Sequence, residues 1–73
     1  MIKVKQIHQR DEIPVDEAFV LVIYGNEITH TTEGKGQVFT VPRGASDLSY
    51  MSVVHTAKEE AKRVNLPFVY ACR

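Results

Sequence analysis

Residues 46–72 constrain the fold more than any other stretch, because one amphipathic helix there runs directly into a short apolar strand. Tyr50, Val53, Val54, Ala57, Ala61 and Val64 recur at three- and four-residue steps, which puts them on one helical face. Ser46 reads as the N-cap, and Asp47 sits well near the positive end of the helix. Asn65-Leu66-Pro67 reads as the stop. Asn65 can take the left-handed conformation past the last turn, and Leu66 can pack back on that turn. Phe68-Val69-Tyr70-Ala71 then reads as a strand. On the helix, Glu59 precedes Arg63 by four residues, the favourable orientation for an ion pair.

An apolar helix face needs an apolar sheet to cover it. Residues 2–8 alternate loosely and read as a short strand, at an edge because of its lysines. Residues 10–17 are acidic, contain Pro14, and read as a loop. Phe19-Val20-Leu21-Val22-Ile23-Tyr24 is the strongest strand and is apolar on both faces, so it is expected at the centre. Gly25-Asn26 fits a type II′ hairpin turn, which would send residues 27–32 back antiparallel. Residues 33–36 form a second turn, and residues 37–41 a third strand of the meander that ends at Pro42. The expected architecture is a single small α+β domain over residues 1–73. It comprises a small antiparallel-rich sheet in the order β-β-β-β-α-β, with one amphipathic helix packed on one face.

A chain of 73 residues has room for one modest core. Its hydrophobic content of 44% and charged content of 25% are those of a globular protein. The longest apolar run, residues 18–24, is far shorter than a membrane span, and no signal peptide pattern is present. The one cysteine, Cys72, cannot form an intrachain disulfide, and an unstapled domain of this size points to the reducing cytoplasm. With its initial methionine and no targeting segment, the chain reads as a complete small protein.

The formal net charge is zero, but the charges are segregated. Lys3, Lys5 and Arg10 stand without an acid in residues 1–10. Asp11, Glu12, Asp16, Glu17, Glu27 and Glu33 follow without a Lys or Arg among them. Lys35, Arg43, Lys58, Lys62, Arg63 and Arg73 then outnumber Asp47, Glu59 and Glu60. A neutral total argues against coating of nucleic acid in bulk, which needs many phosphates neutralised, but permits a local basic face.

Candidate chemistry is sparse. Gly34-Lys35-Gly36 lacks the upstream glycine and the following Ser or Thr of a phosphate-binding loop, so it reads as a hairpin tip. His8, His30, His55 and Cys72 lack the short spacings of a structural zinc site. Cys72 ends a strand, away from the electropositive setting a nucleophile needs. No cofactor is expected. The paired carboxylates Asp11-Glu12 and Asp16-Glu17 read as a solvated acidic surface or as a contact for a basic partner. Lys3, Lys5, Ile7, His8 and Arg10 form the most informative cluster. They lie on a basic, partly apolar strand that either docks on a partner by edge pairing or carries protective charges. Lys35, Arg43, Lys62 and Arg63 are a second candidate set, for nucleic acid or phosphate.

Residues 57–63, Ala-Lys-Glu-Glu-Ala-Lys-Arg, resemble part of the last helix of double-stranded-RNA-binding domains, which also place three antiparallel strands before a helix. The start of this helix, Ser46-Asp47-Leu48-Ser49, lacks that family's basic residues, so no binding residue carries over. By size and composition the chain resembles the small phage-encoded proteins that bind host RNA polymerase and redirect transcription. That resemblance implies a non-enzymatic regulator with no cofactor and a large protein partner, RNA polymerase. The alternatives are a nucleic-acid-binding module and a small metal- or thiol-dependent enzyme subunit.

Overall fold

The computed structural model describes residues 2–72. Met1 and Arg73 lie outside the described residues, Arg73 being one of the bases counted above. The elements run β1 Lys3–Ile7, β2 Phe19–Gly25, β3 Thr29–Glu33, β4 Gly36–Pro42, α1 Asp47–Arg63 and β5 Phe68–Cys72. A single 3-10 turn, Arg10–Glu12, lies between β1 and β2. The α+β class, the element order and the single helix packed on a sheet are as the sequence predicts.

The pairing of the strands is where the expectation needs correction. The sheet is five-stranded, ordered β1-β5-β2-β4-β3. β1 and β5, β5 and β2, and β2 and β4 are all parallel, and among the described residues only β3 and β4 run antiparallel. The sheet is therefore mixed, and residues 19–41 are no meander. Gly25-Asn26 is not a hairpin turn, because β2 and β3 are not neighbours. Residues 26–28 instead carry the chain over the end of β4, which lies between them. Gly25 has no positive φ, and its need for glycine is lateral: a Cβ there would meet Thr40 Cγ2 at 2.3 Å. The true hairpin joins β3 to β4 through Gly34, whose φ of 58° is in the left-handed region. The likeness to double-stranded-RNA-binding domains fails at the same point, since the three strands before the helix are not successive antiparallel neighbours.

β2 is central, and Val20, Leu21 and Val22 are all buried, as a strand covered on both faces requires. One core lies under α1, where Val53, Ala57 and Ala61 meet Val20, Val22, Phe39, Val41 and Val69. The other lies on the far face and joins Ile7, Leu21, Val38 and Tyr70. Residues 8–18 cross that far face, and Ile13 packs on its cluster. The crossing follows from the parallel order: β1 and β2 run the same way, so their connection must return along the sheet.

The helix ends are as the sequence predicts. The Ser46 hydroxyl accepts the Ser49 N–H at 3.2 Å. Asn65 has φ 62°, its N–H donates to the Lys62 carbonyl at 3.2 Å, and the Leu66 N–H donates to the Ala61 carbonyl at 2.8 Å. This pair of bonds satisfies carbonyls that the helix leaves open. Val64 is the C-cap and is exposed, so the buried helix face ends at Ala61. The predicted Glu59–Arg63 pair is replaced by two others: Arg63 bonds Glu60, and Glu59 approaches His55 at 4.0 Å.

Candidate functional site

β1 is an edge strand whose register assigns its two faces. Val4 lies opposite Val69, which faces α1, and Lys5 lies opposite Tyr70, which faces away. Lys3 and Lys5 thus stand on the far face and Val4 and Gln6 on the helix side, because side chains alternate along a strand. Lys5 Nζ sits 5.7 Å from the Phe68 ring centre and 5.8 Å from that of Tyr70, and the two rings meet edge to face. Burial, and secondarily the charge of Glu17, push the Tyr70 phenol up.

The five residues singled out on this strand separate. Lys3, Lys5, His8 and Arg10 are exposed. Ile7 is 2% exposed and belongs to the far-face core, so its side chain is no surface contact in the folded chain. It is buried because residues 8–18 fold back over its face. His8 and Gln9 donate their N–H groups to Glu12 Oε2 at 2.7 and 2.8 Å. Those bonds, Gln9's first, hold the Glu12 carboxyl below its ordinary range. Arg10 reaches toward β3, at the opposite edge of the sheet, and pairs with Glu33 at 3.0 Å.

On the helix side, an open cleft of about 360 Å³ separates β1 from α1, with Val4, Gln6, Met51, Val54, His55 and Lys58 on its walls. Beyond it, Lys58 and Lys62 flank Ile2. Lys3, Lys5, Lys58 and Lys62 form no ion pair among the described residues. Sequence reasoning missed this cleft. The available signal was Met51, an apolar residue on the helix adjoining the main apolar face and 65% exposed.

The second candidate set is not brought together. Lys35, at the β3–β4 tip, donates to the Asp16 carbonyl at 3.0 Å. Arg43 follows the other end of β4, roughly 25 Å away along an extended strand. Lys62 and Arg63 lie at the end of α1, where Arg63 is engaged by Glu60.

That engagement belongs to a chain of bonds across three elements. His30 Nε2 lies 2.6 Å from Gln37 Oε1, Gln37 Nε2 donates to Glu60 Oε1 at 2.8 Å, and Arg63 Nε donates to the same oxygen at 2.9 Å. Arg63, and then Gln37, lower the Glu60 pKa from 4.5 to about 2. Between those values the unfolded chain binds a proton that the folded chain does not, so stability falls as pH falls from 4.5 to about 2. Above 4.5 this contribution is fully present. Glu12 acts with the same sign. Thermal melts across this window should therefore lose Tm steadily for the parent and less steeply for Glu60→Gln. Parallel curves would exclude Glu60 as a source of acid sensitivity.

Cys72 Sγ donates to the His8 carbonyl at 3.5 Å, and His30 stacks on Phe39 at 4.1 Å between ring centres. No three of the described His, Cys, Asp and Glu side chains gather as a metal-holding group. No helix among the described residues is long and apolar enough to cross a membrane. No family model, curated protein or solved structure matches the chain.

Proposed function

We propose that this is a non-catalytic binding protein, a regulator that docks on a large protein partner through its N-terminal edge strand. RNA polymerase is the partner that the size and composition resemblance favours, with modulation of transcription as the consequence. The observation that supports the reading is the edge strand itself. It carries Lys3 and Lys5 exposed and without ion pairs among the described residues, beside an open, partly apolar cleft. Basic groups around a partly apolar centre suit a protein interface, where charge steers and apolar area holds.

The test is capture from a nuclease-treated bacterial lysate by the parent chain and by the double variant Lys3→Glu/Lys5→Glu. The expected result is RNA polymerase subunits retained by the parent and reduced about tenfold or more for the variant. Retention that vanishes with nuclease would replace this reading with nucleic-acid binding. Equal retention by both chains would remove β1 from the interface.

A further inference from the structure

We infer that the β1 edge accepts an extended acidic segment of a partner protein as a sixth strand, whose side chains alternate between acidic and apolar. The inference rests on the docking reading above and names the chemistry of what docks.

Backbone direction carries the first step. The Lys3 N–H points inward to the Pro67 carbonyl, at 3.4 Å. Along a strand, successive residues aim their N–H and C=O groups to opposite sides, so Val4 and Gln6 aim theirs outward at the open edge. An added strand would pair with those groups, as in strand-addition modes of peptide recognition.

Side-chain chemistry carries the second step. An added strand presents alternate residues to the two faces of the sheet. On the far face its neighbours are Lys3 and Lys5, exposed and without ion pairs among the described residues, which call for carboxylates. On the helix side its neighbours are Val4 and the cleft formed with Met51 and Val54, which call for apolar side chains. Lys58 and Lys62 edge that side as well, beside Glu59, so lysines border β1 on both faces.

Other occupants fit less well. A second copy pairing β1 with β1 would bring lysines of one chain against those of the other, which is unfavourable. The opposite edge, β3, carries Glu33 and no lysine, so an acidic strand is drawn to β1. A nucleic acid strand would use the lysines but neither the outward amides nor the apolar cleft.

The experiment is amide hydrogen exchange by NMR on the full chain, with and without a capped seven-residue peptide alternating Glu with Val and Ile. The controls are the same residues with the acids grouped at one end, and a single-stranded oligonucleotide. Binding of the alternating peptide, with exchange at Val4 and Gln6 slowed about tenfold or more, is expected when those amides enter hydrogen bonds. Gln6→Pro removes one outward N–H without touching the ladder to β5, a position where an edge strand tolerates proline. It should weaken the alternating peptide at least about fivefold while both lysines remain. If that variant does not fold, the exchange data on the parent decide alone.

Equal binding of the grouped peptide, unslowed Val4 and Gln6 amides at saturation, no binding at millimolar peptide, preference for the oligonucleotide, or self-association through β1 would each overturn strand addition. The lysate experiment separates the two readings. Loss of RNA polymerase capture in Lys3→Glu/Lys5→Glu, together with unslowed amides, leaves docking through β1 standing and removes strand addition. Capture that ignores the lysines removes both.

Discussion

Replacing Ala61 with aspartate is expected to unfold the protein. Ala61 is fully buried where α1 lies on the sheet, among side chains that include Val20, Val22 and Val69. No buried polar or charged residue is present among the described residues to receive a carboxylate. An unpaired charge in such a place costs several kcal/mol, even after local relaxation. The carboxylate also needs volume where the helix and sheet are separated by an alanine, and overpacking adds about 1–3 kcal/mol. A domain of this length has a total stability of about 4–11 kcal/mol, so the two costs together approach or exceed it. Circular dichroism should show loss of the cooperative thermal transition. Ser52→Asp, on the same helix but exposed, should melt close to the parent. A parent-like melt for Ala61→Asp would refute the placement of α1.

Gly36→Val should destabilise strongly, even though valine favours strands and glycine does not. Gly36 lies opposite Phe19 in the β2–β4 register, and the Phe19 ring covers it. A Cβ at position 36 would fall 2.0 Å from Phe19 Cζ, so the ring must leave. Leaving would uncover the far-face cluster around Leu21 and Val38, on which Phe19 packs. The expected loss is about 1–3 kcal/mol, which lowers Tm by roughly 4–8 °C per kcal/mol in a domain of this size. A double-mutant cycle with Phe19→Ala provides the check. The valine should cost little once the ring is gone. If it costs the same in both backgrounds, the ring is not what excludes it.

The helix was legible in the sequence because its signals are local. Ser46 and Asn65 announce the two ends through bonds that reach only three to five residues, and the Val53, Ala57, Ala61 spacing needs no knowledge of the partner sheet. The strand at residues 19–24 was legible for the same reason, as was its central position. Strand neighbours were not, because pairing is set by contacts distant along the chain. Gly25-Asn26 carries the composition of a hairpin turn, yet it also suits a chain leaving one strand to pass over the next. The double-faced apolar character of β2 was the signal against a hairpin: such a strand needs apolar neighbours on both sides, and the polar β3 supplies none.

The candidate site was legible in part. Lys3 and Lys5 are exposed on an edge strand, as their charge implies. Ile7 was misjudged because the residues that bury it, in the segment 8–18, have no regular pattern that predicts where they fold. Arg63 took Glu60 in place of Glu59 because Gln37, on a strand, holds the Glu60 carboxylate within its reach. The i,i+3 spacing of Glu60 and Arg63 was visible in the sequence, but the choice of Glu60 over Glu59 depends on Gln37, which is distant along the chain.

The position of β5 between β1 and β2 bears on how the molecule is made. Among the described residues, β1 has no neighbour in the sheet except β5, which follows it by some 65 residues in register. Its backbone must therefore stay unpaired during folding until residues 68–72 reach the sheet. The sheet closes only by joining segments some 65 residues apart in register, a loop closure whose entropy slows folding relative to a local hairpin. Until β5 docks, β1 has no strand beside it and β2 is open on one side, and open edges of that kind are where pairing with other chains occurs.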